Sequence, residues 1–260
     1  ASLYFTVFCL LTLLERKEDE KKQWKSLPTV SVLIPAYNEE ESIEETVKSA
    51  INLNYPKDKL KIFVINDGSK DRTKEIVEKI AKENSNVILI DQLNGGKANA
   101  LNNALKIVDT EFTATLDADS LATPTTLKGL LPYFTSNEIA VVLPAMKIKD
   151  PKNTLQRMQR YEYVVNLFHR MMNAKLDCIH VTPGPFALYR TSVLKELNGF
   201  DENCITEDLE LAVRIQKNNY KILQTYEAEV YTIPPSTIKG LYNQRKRWYK
   251  GGFLVCMKHK

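Results

Sequence analysis

The sequence is 260 residues long, 43% hydrophobic and 26% charged, enough for one large α/β domain or two small ones with a sizeable buried core. A formal net charge of +4 suits an anionic substrate or a membrane surface but is too weak to argue for nucleic acid, and no strongly basic arm is present. Cys9, Cys178, Cys204 and Cys256 are scattered without a CxxC pair, and His169, His180 and His259 lack metal-ligand spacing, so a disulfide framework and a zinc site are excluded and reduced thiols in a cytosolic compartment are expected.

Residues 1–14 (ASLYFTVFCLLTLL) are uncharged and almost wholly apolar, and residues 15–25 turn sharply charged. As a helix the run reaches about 21 Å, against the roughly 30 Å of a bilayer core. It reads as the tail of a longer transmembrane helix, with an amphipathic or core-docking helix as the alternative. It lacks the basic n-region and small-residue cleavage site of a signal peptide. Residues 1–27 are therefore assigned to a membrane-proximal helix and charged linker. Val30 to Ala36 is β-branched and reads as a buried strand, followed by a helix over Ser42 to Leu53 with Ile43, Val47, Ala50 and Ile51 on one face. Tyr55-Pro56 ends that helix. A strand at Lys61 to Ile65, an amphipathic helix at Asp71 to Asn84 and a third strand at Val87 to Ile90 follow. After the Asn94-Gly95-Gly96 turn come a helix over Lys97 to Val108 and a fourth strand at Phe112 to Leu116. This alternation implies a parallel sheet wrapped by helices.

Beyond Leu121 the pattern changes. Ile139 to Leu143 is a strand, and Leu155 to Lys175 is a long helix whose Met158, Tyr161, Val165, Phe168 and Met172 read as core or interface rather than a cofactor box. Phe186 to Tyr189 is a short strand, Glu207 to Lys217 a helix, and Tyr220 to Thr232 extended chain. The closing residues 253–260 read as the start of a membrane-proximal segment.

Ligands of an open parallel sheet bind at the carboxyl ends of its strands. Tyr37-Asn38-Glu39-Glu40, Asn66-Asp67-Gly68-Ser69 and Asp117-Ala118-Asp119 each follow a strand. Residues two apart on extended chain point the same way, so Asp117 and Asp119 can converge on one hard cation that shares its coordination with phosphate oxygens. A turn running into a helix cap at Ser120 is the plainer alternative. No GxGxxG and no GxxxxGK[ST] is present; Lys97, after Gly95-Gly96, can approach a phosphate or simply start a solvated helix. Thr206-Glu207-Asp208 opens a helix: Thr206 is expected to cap it, and Asp208 is a candidate general base. In Gln244-Arg245-Lys246-Arg247-Trp248, arginine forks match phosphate oxygens and tryptophan faces stack on sugar rings, while an interface anchor is the ordinary reading of such a run.

Taken in order, the clusters resemble family 2 glycosyltransferases with the GT-A fold, most strongly the membrane synthases of cellulose, hyaluronan, chitin and poly-N-acetylglucosamine. The matching elements are PAYNEE (35–40), NDGSKD (66–71), GGKANALN (95–102), DAD (117–119), GPFALYR (184–190), TED (206–208) and QRKRW (244–248), across residues 28–252. The resemblance implies an α/β, mostly parallel Rossmann-like sheet flanked by helices, with a nucleotide-binding half at 28–120 and an acceptor half at 121–252. It implies that Pro35, Ala36, Tyr37, Glu39 and Asp67 hold the nucleoside, with Lys97 and Asp117 at the donor's ribose or diphosphate. Asp119 would bind Mg²⁺ or Mn²⁺, and Asp208 would be the base. Glu207, Gln244, Arg247 and Trp248 would bound the diphosphate and acceptor. The chemistry implied is inverting transfer from a nucleotide diphosphate sugar, a UDP-sugar first, to a saccharide or lipid-linked acceptor at the cytoplasmic face of the cell membrane, in polysaccharide biosynthesis and without nucleic acid. The alternatives are single addition to a polyprenyl phosphate or glycerolipid, and an inactive saccharide-binding fold. A nucleotidyltransferase would carry a basic glycine-rich loop where PAYNEE is acidic.

Overall fold

The computed structural model describes residues 21–260 together with Thr6 and Leu10. The helix expected over residues 1–14 otherwise lies outside the described residues. No helix among the described residues is long and apolar enough to cross a membrane.

β1 (Val30–Ala36), β2 (Leu60–Asp67), β3 (Val87–Gln92) and β4 (Phe112–Thr115) are mutually parallel, in the order β3-β2-β1-β4. The crossovers are α1 (Ile43–Ile51), α2 (Thr73–Glu83) and α3 (Lys97–Ile107). Strand side chains alternate between faces, and this period divides the core. Val32 and Ile34 pack with Ile43 and Val47 of α1 and Val77 of α2, whereas Leu33 packs with Leu101 and Ala104 of α3. Both faces are buried, as the apolar run Val30–Ala36, broken by Ser31 alone, requires.

The second half makes the sheet mixed rather than mostly parallel. β5 (Ser120–Ala122), β6 (Ile139–Ile148), β7 (Ala187–Arg190) and β8 (Lys221–Thr232) complete the order β3-β2-β1-β4-β7-β6-β8-β5. β7 is antiparallel to both β4 and β6, and β5 is antiparallel to β8, while β6 and β8 run parallel. The chain enters β7 through the 182–186 segment, whose Gly184 lies at Asp117 just past the end of β4, so β7 runs opposite to β4. The short helix α4 (Thr126–Leu130) packs on β8 and β6, and α6 (Thr191–Glu196) follows β7 directly; α5 (Thr154–Lys175), α7 (Glu207–Lys217) and α8 (Ile238–Lys258) surround the site.

The apolar stripe of α5 does not enter the core. Met158, Tyr161, Val165 and Phe168 are exposed, Met172 is buried, and the helix seats Gln156, Gln159, Tyr163, Leu167 and Arg170 inward. Gln156 and Gln159 donate to the carbonyls of Pro234 and Pro235, fixing that face toward the chain after β8.

Candidate active site

Strand ends, the N-terminus of α7 and the inner faces of α5 and α8 meet around a cavity of about 870 Å³. Lys97, Asp117, Asp119, Glu207, Asp208, Gln244, Arg247 and Trp248 all line it, bringing together residues spread over half the sequence. Pro35, Ala36, Tyr37, Glu39 and Asp67 do not line this cavity; they sit at the ends of β1 and β2 beside it. Tyr37 is half-exposed, whereas Asp67 is buried.

Asp67 is committed to holding a loop. Its carboxylate accepts the backbone N–H groups of Gly95 and Gly96 (2.8 Å each) and the Gln92 amide (2.8 Å). The start of α3 is thereby fixed, and with it Lys97. Lys97 Nζ lies 2.6 Å from Asp117 Oδ1 and 3.2 Å from Glu207 Oε1. Burial alone would lower its ammonium pKa, but Asp117, Glu207 and Asp208 outweigh burial and hold it above its ordinary value. Lys97 is the internal counter-ion of the site.

The carboxylates around it are crowded. Burial first, then the charges of Asp117 and Glu39, push Asp119 up to about 6. Burial and the adjacent Glu207 push Asp208 to about 6, against Lys97 and the Leu209 N–H that its Oδ1 accepts at 2.9 Å. Glu39, half-buried and accepting the Ser42 hydroxyl at 2.8 Å, is raised by burial with help from Asp117 and Asp71. Crowded oxygens of this kind fit a hard divalent cation. Among the described residues, no group of three or more His, Cys, Asp or Glu side chains could hold a metal ion. Asp119 and Asp117 would thus supply one or two carboxylates, and the remaining positions would belong to phosphate and water.

One segment ties the two acidic centres together. Gly184 O accepts Asp117 N–H at 3.1 Å, and two residues earlier Thr182 Oγ1 donates to Asp208 O at 2.9 Å. A Cβ on Gly184 would stand 2.4 Å from Asp117 Oδ2 and 2.5 Å from Lys97 Nζ, so any larger residue would displace the ends of this ion pair. Thr206 occupies the N-cap position of α7, yet its side chain makes no capping hydrogen bond, contrary to expectation. It packs against Gly251 of α8 instead, where an added Cβ would come within 2.3 Å of Thr206 Cγ2.

α8 carries the basic cluster, and Gln244, Arg245, Arg247 and Trp248 of it line the cavity while Lys246 does not. The Arg245 guanidinium stacks 4.2 Å over the Trp248 ring, and its Nη2 is 2.7 Å from Glu162 Oε2 on α5. The buried Gln244 Oε1 has no hydrogen-bond partner among the described residues, leaving an acceptor free for a substrate donor. His180 lines the cavity, as do Glu162, Tyr163, Asn166 and Arg170 of α5, four residues that the sequence reading did not single out. Their spacing at 162, 166 and 170 is a helical stripe, but the apolar stripe of the same helix was the stronger signal.

A family model described as Glycosyl transferase family 2 matches residues 31–198. Among curated proteins, the poly-β-1,6-N-acetyl-D-glucosamine synthase of Staphylococcus epidermidis is 30% identical over 241 residues, which is 92% of this chain and 58% of that protein. The synthase of the same name from Staphylococcus aureus (strain COL) is 31% identical over 236 residues, 89% and 56% of the two chains. The chain thus spans less than two thirds of the length of these relatives. Among solved structures, the mannosyltransferase PcManGT from Pyrobaculum calidifontis, in complex with GDP-Man and Mn²⁺, superposes with a TM-score of 0.81 at 23% identity, over 99% of this chain and 72% of that one. S. aureus TarS 1-349 in complex with UDP-GlcNAc superposes with a TM-score of 0.64 at 24% identity, over 80% and 59%. Both neighbours share the GT-A type of fold.

Proposed function

The chain belongs to glycosyltransferase family 2, and on that premise we propose that it moves a sugar, with inversion, from a nucleotide diphosphate sugar to a saccharide or lipid-linked acceptor. The observation that carries this reading is the placement of Asp208: a half-buried carboxylate, its pKa raised to about 6, in one cavity with the Asp117–Lys97 pair, Asp119, Gln244 and Trp248.

The chemistry is a single displacement. The acceptor hydroxyl gives its proton to Asp208 as its oxygen bonds to the anomeric carbon. The bond from that carbon to the diphosphate oxygen breaks on the opposite side, and the diphosphate leaves with the electron pair. Lys97 and Arg247 offer positive charge to the departing group, and Glu207 holds Lys97 in place. A bound Mg²⁺ or Mn²⁺ on Asp119 and Asp117 would supply further neutralisation of diphosphate charge. Glu39 and the loop held by Asp67 form the nucleoside side, and Trp248 with Gln244 faces the acceptor sugar. A UDP-sugar donor, with N-acetylglucosamine as the first sugar to test, is supported by the names of the curated relatives and by the UDP-GlcNAc complex of TarS.

We place the protein at the cytoplasmic face of the cell membrane. Support comes from the exposed apolar residues of α5 (Tyr161, Val164, Val165) and α8 (Tyr242, Leu254, Met257) and from the free cysteines 178, 204 and 256. Proton NMR of the product from full-length protein and UDP-GlcNAc tests the mechanism. A β-linked product from the α-linked donor is expected, and retention of configuration would refute single displacement.

A further inference from the structure

The most deeply buried cation of the cavity has no ion pair among the described residues. Arg170, on the inner face of α5, is 6% exposed and lines the cavity. Its Nε and Nη2 have no hydrogen-bond partner among the described residues. Those two atoms form one edge of the guanidinium plane, the edge that grips two oxygens of a carboxylate or phosphate side by side. Burial lowers the group to about 10, so it stays charged at neutral pH, and the only other influence on it is the Tyr163 phenol. Gln156 and Gln159 of the same helix donate their amide N–H groups to backbone carbonyls, whereas Arg170 Nε and Nη2 find no acceptor among the described residues. A buried, unpaired guanidinium is costly to retain unless an anion arrives to meet it.

Arg170 shares the cavity lining with His180 and Val181, the residues that lead into Thr182 beneath the base. Its charge, after burial, helps to lower the His180 imidazole, and His180 is two residues from Thr182, whose hydroxyl donates to Asp208 O at 2.9 Å. The nucleoside elements Glu39 and Asp67 lie at the ends of β1 and β2, outside the cavity lining. A group held by Arg170 therefore belongs to the molecule that meets Asp208. We propose that Arg170 grips an oxyanion of the acceptor, so that the acceptor of this cavity carries a phosphate ester or a uronate carboxylate near the hydroxyl that reacts. The inference rests on the transferase reading above and narrows its acceptor class.

The test uses full-length protein in lipid nanodiscs with UDP-GlcNAc as donor, comparing the unmodified enzyme, Arg170→Gln and Arg170→Lys. The acceptors are farnesyl phosphate, a glucuronate-ended tetrasaccharide and a neutral N-acetylglucosamine tetramer. Loss of a charge-assisted bidentate contact should raise KM for an oxyanion acceptor roughly ten- to hundredfold in Arg170→Gln, with partial recovery in Arg170→Lys. UDP release to water and donor KM are read in parallel, and acceptor KM should rise far more than either changes. Whichever of the phosphate and the uronate shows this split is the source of the oxyanion. Equal effects on all three acceptors, or no effect on any, would overturn the inference. On the unmodified protein, farnesyl phosphate should raise Tm and farnesol should not; equal shifts would also overturn it. A wild-type enzyme that releases no UDP from any nucleotide sugar would instead overturn the transferase reading.

Discussion

Asp208 is half-buried among like charges, and its environment sets both its usefulness and its cost. A carboxylate raised to about 6 is a stronger base than an exposed one, yet remains ionised at neutral pH. Ionised Asp208 is the working form, so kcat/KM should fall as pH drops through about 6, with unit slope; a flat profile down to pH 4.5 would count against this residue. The stability effect has the opposite sign. The folded carboxyl binds its proton more tightly than the unfolded one, whose pKa is about 3.9. Its stabilising contribution is complete below that value and lost as pH rises through about 6. Calorimetry should therefore find Asp208→Asn more stable than the parent at pH 8, with a smaller gain at pH 4. The same crowding makes Lys97 indispensable. Lys97→Met leaves Asp117, Glu207 and Asp208 facing one another, and both Tm and donor turnover should drop.

Two helices depend on one close approach. α8 lies against the start of α7 because Gly251 has no Cβ to strike Thr206, and its far end is tied down by the buried Glu210 of α7. Glu210 accepts from Arg214 Nε at 2.7 Å, Lys258 at 3.1 Å and lies 3.1 Å from His259 Nε2. Gly251→Ala forces the helices apart beside Asp208. Overpacking of this kind costs about 1–3 kcal/mol, which a shift in urea midpoint would report; acceptor KM should rise with donor KM little changed. At this scale the sequence was legible where one periodicity ruled. The four parallel strands and α1, α2, α3 and α7 follow from apolar runs and helical spacing. α8 was missed as a helix because Gly240, Gly251 and Gly252 and a run of basic residues break its apolar period. The short strand β5 was missed as well, since three residues are too few to show alternation.

For the whole molecule, the strand-end acids were legible because each follows a buried strand, and topology alone gathers such ends at one edge of a parallel sheet. Arg170 was not, since pairing depends on which face of α5 turns inward, and the apolar stripe suggested the wrong face. That stripe makes a prediction of its own. Tyr161→Glu with Val164→Glu on α5, and Met257→Glu on α8, should weaken binding of the described domain to vesicles while leaving its melting temperature within a degree or two, because all three side chains are exposed. Unchanged flotation with the vesicles would remove these helices from the membrane contact. The central claim is that one cavity joins a donor held at the strand ends to a base at the start of α7. Its most direct test is the initial rate of sugar transfer from UDP-GlcNAc by full-length protein and by Asp208→Asn. Loss of a general base predicts a fall in kcat of roughly 10²–10⁴-fold at unchanged donor affinity; a variant that transfers at the parental rate would contradict the account.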